Sequence, residues 1–164
     1  MPKLVSGNWI PKNLPKAYRI IFLAEKPSLH FSRNEGLRKS GNFNVTKSDH
    51  KLQEFIEKYL NKSVYITDMV KTEGVAGHDF VSDWHGEPSH KKRLEQELKE
   101  LKVKTVVCLS RKVEKLFRQE FPGYKTLYIN HPAYIYRYKK FSIWDEQFNQ
   151  LVLETRRLDS TKSS

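Results

Sequence analysis

The chain has 164 residues, 30 of them Lys or Arg and 19 Asp or Glu, for a formal net charge of +11, and at roughly 150 residues per domain this is about one domain. A mean hydropathy of −0.70, with no long apolar run, excludes a helical membrane span, which needs about 20 such residues. The lone cysteine, Cys108, excludes an internal disulfide and any all-cysteine zinc or iron–sulfur site.

Aromatic residues make up 12% of the chain, whereas disordered basic chains are poor in them. A folded, basic, aromatic-rich domain points to a polyanion partner, nucleic acid first; charge by itself is equally compatible with a solubilising surface. Met1–Trp9 lacks the apolar stretch of a secretion signal, and one free thiol suits a reducing compartment. A cytoplasmic location is therefore expected, nucleoid-associated if the source is prokaryotic.

Residues 1–17, with Pro2, Gly7, Pro11 and Pro15, read as an extended arm pinned by Trp9 and Ile10. The apolar run Tyr18–Ala24 predicts a buried strand. Residues 25–47 are rich in Ser, Gly, Asn, Lys and Arg and read as a long loop with little regular structure, of the kind that is functional or mobile. Ser48 and Asp49 can cap a helix carrying Leu52, Phe55, Ile56, Tyr59 and Leu60 on one face. Ser63–Thr67 is a second strand, and 68–88 reads as irregular. A helix near 89–102 aligns Leu94, Leu98 and Leu101, and Thr105–Leu109 is a third strand with Ser110 as the N-cap of the next helix. Val113, Leu116, Phe117 and Phe121 face inward from that helix, which Pro122 and Gly123 stop. Lys125–Ile129 is a fourth strand, residues 134–140 read as an aromatic and basic loop, and a last helix over about 140–157 bears Phe141, Trp144, Phe148, Leu151 and Val152. Residues 158–164 form a polar tail.

Strands alternating with helices predict a three-layer αβα sandwich around a central four-stranded parallel sheet, one domain over 18–157. Ligands of such sheets bind beyond the carboxyl ends of the strands. The segments there are Glu25–Ser28, Asp68–Lys71, Ser110–Lys112 and Asn130–Ala133.

In that order these segments resemble the uracil-DNA glycosylase superfamily. Ala24-Glu25-Lys26-Pro27-Ser28 is similar to its first motif, Gly-Glu-Ala-Pro-Gly or Gly-Gln-Asp-Pro-Tyr. Val64-Tyr65-Ile66-Thr67-Asp68-Met69-Val70-Lys71 is close to its Val-Tyr-Ile-Thr-Asn-x-Val-Lys, and His131-Pro132-Ala133, followed by Arg137, resembles its last motif. The resemblance spans roughly 18–155. Three departures stand out. One cysteine places the chain outside the branch that uses a four-cysteine iron–sulfur cluster. Asp68 stands where most members carry the asparagine that reads uracil. Lys26 stands where one branch carries a water-activating aspartate.

The resemblance implies a monomeric, monofunctional glycosylase in base-excision repair. Such an enzyme flips a base out of DNA and hydrolyses its N-glycosidic bond without metal or cofactor. It assigns His131 to the leaving base and Glu25 to the water and the developing sugar cation. An ionised Asp68 only accepts hydrogen bonds, so the substrate is expected to differ from plain uracil, with hypoxanthine or another modified base as candidates. Asp68 can instead activate water, or only hold Lys71 or cap its loop. Phe43, or else Phe31, is the candidate to stack on the base. Lys26, Ser28, Lys71, Ser110, Arg111 and Lys112 are candidate phosphate contacts, and Tyr134, Tyr136 and Arg137 candidate groove probes. His78, Asp79, Asp83, His85 and His90 fit no metal-ligand spacing, so no metal is expected. Cys108 reads as a buried small hydrophobe. The alternatives are an inactive nucleic-acid-binding member of the family and a small-molecule hydrolase. The excess charge is expected mainly around the strand ends and 134–140.

Overall fold

The computed structural model describes residues 4–6, 19–26, 47–60, 64–71 and 79–162. Their elements, in chain order, are β1 (Leu4–Ser6), β2 (Ile20–Ala24), α1 (Lys47–Tyr59), β3 (Val64–Asp68), α2 (Phe80–Gly86), α3 (Ser89–Glu100), β4 (Thr105–Cys108), α4 (Arg111–Glu120), β5 (Lys125–Tyr128), α5 (Pro132–Tyr138) and α6 (Phe141–Lys162). The strands form one parallel sheet in the order β1-β3-β2-β4-β5.

β2 holds the centre because every one of its residues, Ile-Ile-Phe-Leu-Ala, is buried, as a strand covered on both faces requires. Its period of two divides the core. Ile20, Phe22 and Ala24 pack with Leu52 and Ile56 of α1, Ile135 of α5 and Trp144, Phe148 and Leu151 of α6. Ile21 and Leu23 pack on the opposite face with Phe80 and Trp84 of α2, Leu94 and Leu98 of α3 and Val113, Leu116 and Phe117 of α4. The result is the three-layer αβα sandwich, with the four expected strands in place.

Rings knit both layers. Phe55 meets Trp144 edge-on at 5.0 Å and Phe148 at 5.5 Å between ring centroids; Phe117 stacks on Phe121 at 4.9 Å. Trp84 Nε1 donates to Glu120 Oε1 at 2.7 Å, which satisfies the polar edge of a buried indole. The thiol of Cys108 lies among apolar groups on β4, and burial pushes its pKa up, away from thiolate chemistry.

Four features differ from the sequence expectation. Leu4–Ser6, within the segment read as an arm, adds to β3 as a fifth, parallel edge strand; the pairing depends on a neighbour sixty residues away and leaves no local pattern. Residues 80–86, read as irregular, form α2, started by Asp79, whose side chain accepts from the Val81 amide. Residues 134–140 are not a loop: α5 begins at Pro132 with His131 as its N-cap, a start that proline at the first helical position favours. α6 continues through the expected polar tail to Lys162.

Phe22→Ala removes a side chain with no solvent exposure from between the sheet and α6. The expected loss is about 3–5 kcal/mol of unfolding free energy, read from urea denaturation. Leu153→Ala, at a residue 55% exposed, is expected to change it by less than about 0.5 kcal/mol.

Candidate active site

The chain reverses direction across the sheet at β2, since β3 lies on one side of it and β4 on the other. That switch point lies at the carboxyl ends of the strands, where ligands of open parallel sheets bind. Backbone hydrogen bonds continue past the strands and lock these ends together. Met69 N donates to Ala24 O and Val70 N to Glu25 O, both at 3.0 Å, while Leu109 N donates to Leu23 O at 2.9 Å and Ile129 N to Cys108 O at 3.0 Å. The four segments singled out in the sequence are thereby brought to one edge of the sheet.

Glu25 leaves the end of β2 partly exposed. The Ser110 hydroxyl donates to Glu25 Oε1 at 3.5 Å, and its oxygen accepts from Val113 N at 3.1 Å. Ser110 is thus the expected N-cap of α4 and also joins the β4 end to the Glu25 carboxylate.

His131 is set by its neighbours along the chain. Asn130 is clamped by α6: Gln147 Oε1 accepts from Asn130 N at 3.0 Å, Gln147 Nε2 donates to Asn130 Oδ1 at 2.9 Å, and Trp144 Nε1 donates to Asn130 O at 2.9 Å. His131 Nδ1 accepts from Ala133 N at 3.1 Å. A nitrogen that accepts carries no proton, so the neutral ring has its hydrogen on Nε2. Burial lowers the pKa of His131, and the nearby negative charge of Asp49 partly opposes this. Asp49, in the first turn of α1, is itself buried. The strand end therefore carries a neutral imidazole whose proton lies on Nε2.

Asp68 ends β3 with no solvent exposure. Lys71, expected among the phosphate contacts, is corrected by its surroundings. Its side chain is 0% exposed, ion-paired with Glu97 of α3, and donates to Thr67 Oγ1 at 2.6 Å. Burial lowers its pKa, while the charges of Glu97 and Asp68 favour its ammonium form. Tyr65 donates to Glu97 Oε2 at 2.5 Å, and Lys71 N donates to His90 Nδ1 at 3.2 Å. Lys71 is a buried brace under β3, beyond the reach of a phosphate. Lys26 is likewise drawn to Asp83 of α2 at 3.3 Å, with its side chain only 17% exposed.

The remaining cations and rings lie outward. Arg111 and Lys112 are exposed at the start of α4; the Arg111 guanidinium sits 3.7 Å from the Tyr128 ring centroid and pairs with Glu114 at 2.9 Å. On α5, Tyr134 and Tyr138 are 43% and 55% exposed, with centroids 5.1 Å apart. Arg137 is exposed, and Lys139 Nζ lies 4.6 Å from the Tyr136 ring. Ser28, Phe31, Phe43 and His78 lie outside the described residues. Among the other residues weighed as ligands, Asp79 caps α2, Asp83 holds Lys26, His90 accepts from Lys71, and His85 Nδ1 lies 3.9 Å from Glu120 Oε1.

Sequence reasoning gave Gln147, Asn130, Asp49 and Glu97 no role in the site, reading Asp49 only as a helix cap. Asn130, next to His131 in a strand-end segment, was the one within reach of a local reading. The other three come from distant helices.

Taken together, the sheet order and the strand-end groups define an α/β protein that carries a carboxylate and a neutral imidazole on the segments leaving its strands at the switch point. The family model for the Uracil DNA glycosylase superfamily matches residues 11–152. The chain belongs to that superfamily, and its type of function is that of a DNA glycosylase. No curated protein gives a significant match to the chain.

Lys71→Met leaves Glu97, whose side chain is 13% exposed, beside Tyr65 without its cation, and is expected to cost about 3 kcal/mol in urea unfolding. Adding Glu97→Gln is expected to restore more than half of that loss.

The pKa values of His131 and His90 are both lowered by burial. The unfolded chain therefore takes up protons first as pH falls. Their contribution is complete above the ordinary value of about 6.5 and is lost as pH drops toward the folded values. Urea midpoints are expected to decline between about pH 7 and about pH 5; a flat profile contradicts this account.

Proposed function

We propose that the protein is a monofunctional DNA glycosylase that extrudes a damaged or modified base and hydrolyses its N-glycosidic bond. The neutral His131 carries the reading: its Nδ1 accepts from the Ala133 amide, so the ring proton lies on Nε2. As the bond between the sugar C1′ and the base breaks, the electron pair goes to the base. A hydrogen bond from Nε2–H to the base carbonyl stabilises that anion without proton transfer. Glu25, tethered by Ser110, orients the attacking water, takes its proton and offsets the positive charge on the sugar.

Asp68 sets the substrate. As a carboxylate it accepts from an N–H or amino group of the base and disfavours a carbonyl, so a modified base that presents a donor where uracil presents its O4 carbonyl is preferred, and hypoxanthine stays a candidate only if its N1–H, not its O6, meets Asp68. Tyr134, Tyr138 and Arg137 give α5 an exposed aromatic and cationic face suited to the groove and the gap left by an extruded base. Arg111 and Lys112 supply phosphate contacts at the start of α4. The protein acts as a monomer.

The test is excision from duplex and single-stranded oligonucleotides carrying uracil, hypoxanthine, xanthine or oxidised bases. His131→Ala and Glu25→Ala are each expected to lower the single-turnover rate about 10²–10³-fold while DNA affinity changes little. Asp68→Asn is expected to raise uracil excision relative to the parent. Unchanged excision in His131→Ala refutes the mechanism. Tight DNA binding with no excision of any base favours an inactive binding member, a reading that the pairing of Lys26 with Asp83 makes specific, since the resemblance puts a water-activating group at position 26 in one branch of the family.

A further inference from the structure

Described cations gather a second time, at the opposite pole of the sheet. A cavity of about 570 Å³ opens there beside Leu98, Val103 and Tyr124, and its rim carries Arg19, Lys99, Lys102 and Lys104. Arg19 directly precedes β2 and Lys104 directly precedes β4, so the cavity belongs to the amino ends of the strands. Four to five residues of strand, at about 3.3 Å each, put roughly 15 Å of sheet between it and the carboxyl strand ends.

Among the described residues, no carboxylate lines this cavity. Among the described residues none of the four cations is in an ion pair, whereas Lys26, Lys71, Lys91, Arg118 and Lys125 each have a carboxylate partner. Four like charges crowded on one rim repel one another.

Lys102 adds a second cost. Val103 N donates to Leu98 O at 3.0 Å and Lys102 N to Lys99 O at 3.2 Å, the paired bonds that end a helix on a left-handed residue. Lys102 occupies that position with φ 55°, where glycine is the unstrained choice. Lys99 and Lys102 do meet the negative end of the α3 dipole. Arg19 and Lys104, at strand starts, have no such compensation.

We propose that this pole is a second nucleic-acid contact, which takes a phosphodiester backbone without reading its sequence. The backbone favours a strand over a free nucleotide. The amides of Lys102 and Val103 already donate within the helix end, and those of Lys104 and Thr105 both donate to Arg19 O at 2.9 Å. Among the described residues no nest of N–H groups is left to grip a terminal phosphate, so the site offers long cationic side chains and an apolar floor, which suit a chain of evenly spaced charges. Among the described residues, cations thus gather at this pole as well as near the strand ends, where the sequence alone placed the excess charge. The inference stands whether or not the strand ends excise a base.

Amide NMR of the full-length protein, titrated with an undamaged duplex at low salt, reads this pole separately from the strand ends. The amides of residues 98–104 and 124 are expected to shift saturably. Their apparent affinity should fall with salt at a log–log slope of about −3.6 for four cations. Lys102→Gly, which suits the left-handed backbone and so keeps the fold, should flatten that slope by about one. Adding Arg19→Ala and Lys104→Ala should abolish the shifts here and leave those at Ser110 and His131 in place. Unmoved amides at this pole overturn the proposal. So do shifts of equal size with thymidine monophosphate at the same phosphate concentration, which mark a free-nucleotide site, and equal displacement by polyglutamate, which marks an acidic-protein surface.

Discussion

Burial of β2 on both faces is the constraint from which the rest follows. A strand with no wet side must have a helix layer above and below and a strand on either edge. That forces the crossover from β3 to β4 over β2 and so creates the switch point. That point lies where successive connections part company, one helix layer leaving to each side. The position of the site is therefore a consequence of packing, and its chemistry is decided by the first residues that leave each strand.

Those residues are held by groups from the surrounding helix layers. Asn130 is gripped by Gln147 and Trp144 of α6, so the helix that covers one face of the sheet also fixes the backbone feeding His131. Lys71 and Glu97 do the corresponding work under β3, where α3 supplies the carboxylate. Such preorganised supports hold a donor at a fixed place without reorganisation during reaction. Ser110 serves two ends at once, capping α4 and reaching Glu25. The ionic network below Asp68 is buried and therefore sensitive to loss of either partner, whereas Arg111 with Glu114 on the surface of α4 adds little stability.

The fold was largely legible from the chain. Strands β2, β3, β4 and β5 are apolar runs bounded by polar segments, and α1, α3, α4 and α6 carry apolar residues at helical spacing over three turns or more. α2 escaped because seven residues hold only Phe80 and Trp84 as a buried pair, too short a stretch to establish a period. α5 escaped because its tyrosines and isoleucine are weak helix formers, and its start signal, proline after a capping histidine, lay inside a motif read for its chemistry. β1 exists only because the edge of β3 stands ready to pair with it. Of the site, Glu25, Asp68, Ser110 and His131 were legible as the first polar residues beyond strands. Lys26 and Lys71 were misplaced as surface cations, because nothing local announces Asp83 or Glu97.

The sequence by itself determined the parallel sheet, the order of the strand-end motifs and the absence of a cysteine-ligated cluster, since each rests on short-range pattern or on composition. Tertiary structure alone decided which charges are spent internally and which face outward. It buried Lys71, bound Lys26 to Asp83, gave His131 its tautomer through the turn into α5, and left Arg19, Lys99, Lys102 and Lys104 together at the far pole. A charge's partner and its burial depend on residues far away in the chain, and those distances close only when the two helix layers pack against β2.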